Sequence, residues 1–75
     1  MKSVKIELKM TSDVKKFVDI VQAYTYDIDL KSNKYVVDAK SILGIFSLDL
    51  AKPITVEIHS DDCKDLLSEL EPFIV

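Results

Sequence analysis

The sequence predicts an α+β fold in which four antiparallel strands form one sheet, with helices on one face and water on the other. Several segments alternate strictly between apolar and polar residues, and each carries a single apolar row. Between them, apolar residues recur at spacings of three and four, the period of a helix packed on one side. Cap and turn residues separate the two patterns.

In the first strand, Val4, Ile6, Leu8 and Met10 share one face and Lys5, Glu7 and Lys9 the other. Thr11-Ser12-Asp13 supplies N-cap residue types. Val14, Phe17, Val18, Val21 and Tyr24 then form the apolar stripe of a helix of about three turns. Tyr26, Ile28 and Leu30 alternate with Asp27, Asp29 and Lys31, a second strand. Ser32-Asn33-Lys34 is a turn, because Asn tolerates positive φ. Tyr35, Val37 and Ala39 are the inward row of a third strand.

The segment from Lys40 to Leu48 supports only about one to two helical turns, with Ser41 near the N-cap and Gly44 weakening the helix. Pro53 has no N–H for a sheet ladder and therefore opens the next strand. In that strand Ile54, Val56 and Ile58 alternate with Thr55, Glu57 and His59. Ser60-Asp61-Asp62 caps a last helix whose face is Cys63, Leu66, Leu67 and Leu70, and Pro72 ends it. The order is β-α-β-β-α-β-α. The helices are expected on the face carrying Ile6, Ile28, Val37 and Val56.

The 75 residues make one domain, residues 1–75, with a modest core. Apolar residues are 48% of the chain, too many for a disordered one. A net charge of −3 with no basic cluster argues against nucleic acid and against an anionic membrane surface. The one cysteine, Cys63, forms no internal disulfide, which fits a reducing compartment. The first ten residues lack the continuous apolar core of a signal peptide, and no stretch is long and apolar enough to span a bilayer. The expected location is the cytoplasm.

Two architectures have this element order. The ferredoxin-like fold usually has a long second helix, and the other candidate has a short one. The residues from Lys40 to Leu48, KSILGIFSL, resemble the motif K-S-I-[ML]-G-[VI]-[MF]-S-L of the HPr proteins, histidine-containing phosphocarriers of the sugar phosphotransferase system. Asp27-Ile28-Asp29-Leu30 is similar to the family's D-I-x-[LI] strand at an ungapped distance. The resemblance covers roughly Phe17 to Leu70 in organisation, and it implies the HPr-like open-faced sandwich. In Gram-positive HPr proteins the motif carries a regulatory serine, which makes Ser41 the candidate phosphorylation site. It also implies a docking patch. Lys40, Ile42, Leu43, Phe46 and Ser47 are the candidate partner-binding residues, and the partners are other proteins of the phosphotransferase system or its regulation.

The family's phosphoryl-accepting loop, G-[IL]-H-A-R-P, lies between the first strand and the first helix. Here that region reads Met10-Thr11-Ser12-Asp13-Val14, with no His, Arg or Pro. A phosphoramidate needs an imidazole nitrogen, which none of these side chains supplies. Asp13 would also repel a phosphate at a helix N-terminus. The expectation is a regulatory or protein-binding module, not an enzyme, with no cofactor. The alternatives are a working phosphocarrier with a different acceptor and a ferredoxin-like ligand-sensing domain.

The remaining chemistry-bearing residues have ordinary structural roles in this scheme. His59, the one histidine, falls on the wet face of a strand. Cys63 belongs to an apolar stripe with acidic neighbours in sequence, which suits a small buried hydrophobe better than a reactive thiolate. Asp61, Asp62 and Asp65 fit helix capping and the helix dipole, and they lack the alternating ligands and glycine of a calcium loop. Asp27 and Asp29 lie on a polar strand face. No His/Cys spacing signals a metal site.

Overall fold

A computed structural model describes all 75 residues. The strands are β1 (Lys2–Ile6), β2 (Ile28–Ser32), β3 (Tyr35–Asp38) and β4 (Ile54–Ile58). The helices are α1 (Thr11–Val21), α2 (Ile42–Phe46) and α3 (Lys64–Leu70), followed by a 3-10 turn at Glu71–Phe73. The strands lie in the order β1-β4-β2-β3, and every neighbouring pair is antiparallel. β4 thus inserts between β1 and β2, which run parallel to each other and are joined through α1. No helix is long and apolar enough to cross a membrane.

The alternation seen in the sequence becomes two chemically distinct sheet faces. Ile6, Ile28, Leu30, Ile54, Val56 and Ile58 are buried under the helices. They join Val14, Phe17, Val18 and Val21 of α1 and Leu66 and Leu70 of α3 in one core. Truncating a fully buried side chain of this core, such as Phe17, would cost about 3–5 kcal/mol. The opposite face carries Lys5, Asp29, Lys31, Thr55 and Glu57 and has no helix over it. Val37 is half-buried on the helix side, against α2. The second helix has five residues, far from the long helix usual in a ferredoxin-like fold.

β4 begins directly after Pro53, and Asn33 adopts a positive φ of 56° in the β2–β3 turn, as expected. Other elements are shifted. β1 stops at Ile6: Leu8 is still buried, but Met10 is exposed and serves as the N-cap of α1. The chain leaves the sheet at Glu7, whose N–H donates to the carbonyl of Phe73 at 2.8 Å. β2 starts two residues later than the alternation suggested and ends one residue later, at Ser32, so Tyr26 precedes it. Tyr35 is exposed because it sits at the hairpin end. α1 ends at Val21, and Tyr24 lies beyond it. α3 is N-capped by Cys63 without any side-chain bond, while Ser60 Oγ serves the local turn by accepting the Asp62 N–H. The C-terminal segment returns to the β1 edge, where Ile74 bridges Ile6 and the Val75 N–H donates to the Lys5 carbonyl.

Candidate functional site

The β3–α2 junction is built from local hydrogen bonds. The Asp38 carboxylate accepts the N–H of Lys40 at 2.9 Å, and the Asp38 carbonyl accepts that of Ser41 at 3.0 Å. This tight turn leaves Ser41 extended, with φ −100° and ψ 105°, as an N-cap requires. Its Oγ accepts the Gly44 N–H at 3.3 Å. At the other end, Ser47 Oγ donates to the Gly44 carbonyl at 2.6 Å. Gly44 is closely packed: a Cβ there would lie 3.3 Å from both Val37 Cβ and Ser41 Oγ, tighter than an ordinary contact.

α2 divides its apolar residues between two surfaces. Ile45 and Leu48 are buried in the core. Ile42, Phe46 and Leu43 face outward, with exposures of 39%, 44% and 81%. Ser41 and Ser47 are also exposed. Lys40 differs from these. It is half-buried, and its ammonium donates to the carbonyls of Tyr24 at 2.7 Å and Tyr26 at 3.0 Å. It ties the α1–β2 connection to the base of α2, a role that its position in a motif does not disclose.

The start of α1 is organised by a carboxylate. Asp13 Oδ2 accepts the backbone N–H groups of Lys9 and Met10, each at 3.2 Å. No histidine occurs between β1 and α1. A surface hollow of about 740 Å3 lies beside this turn, lined among others by Lys9, Asp13, Lys16, Glu69 and Phe73. It includes no residue of α2.

His59 lies just past β4 on the open sheet face, with its Nε2 2.8 Å from Asp29 Oδ2. Asp29 and Glu57 are register partners on β2 and β4, and Lys31 Nζ pairs with Glu57 at 2.9 Å. The ligand atoms of Asp29, Glu57 and His59 all lie within 4.8 Å of one another. Sequence spacing gave no sign of this cluster. Its only signal was that all three residues occupy the polar parity of their strands, and the register between β2 and β4 brings them together.

Two tyrosines follow α1. The Tyr24 hydroxyl donates to the Glu69 carboxylate of α3, and this bond, with burial and the nearby negative charge, pushes its pKa up to about 12. Tyr26 packs against Tyr24 with ring centroids 5.6 Å apart. Its hydroxyl is buried without a partner, and burial raises its pKa as well. Cys63 is buried, as its place in an apolar stripe suggested.

Comparison with protein families matches residues 11–75 to the family described as "PTS HPr component phosphorylation site". The match begins at the first residue of α1 and includes the whole β3–α2 junction. No curated protein matches the sequence. Among solved structures, the chain is similar to HPr-C-His from Thermoanaerobacter tengcongensis. That similarity has a TM-score of 0.80 and 26% identity over 96% of this chain and 89% of the other. A phosphocarrier protein HPr from Bacillus anthracis str. Ames aligns with a TM-score of 0.73 and 28% identity, over 99% of this chain and 94% of that one.

Proposed function

Because the chain belongs to the HPr family of the phosphotransferase system, we propose that it acts as a regulatory, protein-binding member that docks partners through the Ser41–Leu48 segment and carries no phosphoryl group on a histidine. The observation that carries this reading is the contrast between two places. The start of α1 offers no imidazole and already holds the Asp13 carboxylate. A phosphoryl group arriving there would meet a like charge and no imidazole to accept it. α2, by contrast, presents Leu43, Phe46 and Ile42 outward beside an exposed serine. Large exposed side chains of this kind serve as interface anchors when a partner covers them.

In this reading Ile42, Leu43 and Phe46 make the contact, while Lys40 and Ser47 hold α2 in shape from its two ends. Ser41 is the regulatory position. Phosphorylation there would place negative charge beside the outward apolar row and alter which partner surfaces fit. The proteins of its phosphotransferase system are the partners this family membership favours.

The reading is tested by incubation with phosphoenolpyruvate and enzyme I, with His59→Ala in parallel. No acid-labile phosphate is expected on either protein. Label on the parent that disappears in His59→Ala would establish the alternative, a phosphocarrier using the one imidazole in the chain.

A further inference from the structure

The helix-free face of the sheet holds a group of side chains with no part in the docking site. Asp29 on β2 and Glu57 on β4 stand directly opposite each other in the ladder. Like charges in that position destabilise a strand pair unless a cation lies between them. His59, two positions beyond Glu57 on the same side of the chain, brings its Nε2 to 2.8 Å from Asp29. The three ligand atoms lie within 4.8 Å of one another. From this geometry we propose that Asp29, Glu57 and His59 form a surface site for a divalent transition-metal ion of the zinc class.

The donor set fits such an ion. Two carboxylates supply the charge that a divalent cation needs, and the imidazole nitrogen selects zinc, nickel or copper over magnesium and calcium. Ligand bonds of about 2.0–2.2 Å place donor atoms of a tetrahedral site about 3.4 Å apart, so small side-chain rotations bring these three into range. Asp29 and Glu57 are fixed on neighbouring strands, while His59 lies at the strand end. Three protein ligands leave a fourth position for water or a partner's side chain. Lys31 is the built-in competitor: its ammonium sits 2.9 Å from Glu57 Oε1 and must swing aside when metal binds. It is partly exposed on a flexible stem and has room to move.

The test is calorimetric titration of the intact chain with zinc chloride, alongside NMR of the His59 ring. One equivalent of zinc should bind and shift the His59 ring signals. His59→Ala and Asp29→Asn should each weaken binding by at least about tenfold. Lys31→Met should tighten it. All of these changes lie on the exposed face, and circular dichroism confirms that each variant is folded. Zinc affinity unchanged in His59→Ala, or no binding by the folded parent, overturns the proposal.

Discussion

The Ser41 hydroxyl accepts the Gly44 N–H at 3.3 Å, so the residue that the family motif marks for regulation is also the residue that starts α2. Phosphorylation at Ser41, as proposed above, would take the same oxygen that caps the helix. Ser41→Ala should lose about 0.5–2 kcal/mol of stability, the usual cost of removing a serine cap. Ser41→Asp keeps an acceptor and adds charge where the helix dipole favours it, so it should stay within about 0.5 kcal/mol of the parent. Denaturant unfolding of both variants checks this. Ser41→Ala as stable as the parent would show that the cap contributes nothing.

The two surfaces of α2 should respond differently to truncation. Ile45→Ala should cost about 2–5 kcal/mol, because Ile45 is fully buried. Leu43→Ala and Phe46→Ala should each cost less than about 1 kcal/mol and weaken partner binding. Large losses of stability in both Leu43 and Phe46 variants would reduce the motif to a packing element.

Gly44→Ala separates intrinsic helix preference from packing. In an exposed helix the change would stabilise by roughly 1 kcal/mol. Here the new methyl group meets Val37 Cβ and Ser41 Oγ at 3.3 Å, so no gain is expected. In a Val37→Ala background the side chain facing it shrinks, and part of the gain should return. A stabilised single variant in thermal unfolding would contradict the packing account.

Tyr24 should add an alkaline limb to the stability curve. Its folded pKa is raised from 10.0 to about 12, first by its hydrogen bond to Glu69. The protonated phenol is favoured in the native state, so this contribution is complete below pH 10 and is lost as pH rises toward 12. Tyr24→Phe should flatten that part of the curve. An unchanged alkaline loss in the variant would assign it to other groups, such as Tyr26.

Local order was legible in the sequence wherever a residue's own chemistry decides the outcome. Pro53 sets the start of β4, Asn33 takes the positive φ of the turn, and Ser41 caps α2. The outward position of Ile42, Leu43 and Phe46 on α2 was expected only from the family resemblance, because a five-residue helix is too short for its period to sort one face from the other. Features that depend on register or on returning chain were hidden. Alternation shows that Asp29, Glu57 and His59 are on polar faces, but not that β2 and β4 place them together. Met10 keeps the alternation of β1 yet leaves the sheet, because the chain must turn there to enter α1. The pairing of Ile74 with Ile6 and the Lys40 contacts with two carbonyls are tertiary events with no periodic signature.

Under the function proposed above, this HPr-family chain works by docking and not by histidine phosphorylation. The most direct test is the phosphoryl content of the protein after incubation with labelled phosphoenolpyruvate and enzyme I, with the Bacillus anthracis phosphocarrier HPr as positive control. The control should acquire acid-labile label while this protein stays unlabelled. Stoichiometric acid-labile phosphate on this chain would contradict the account.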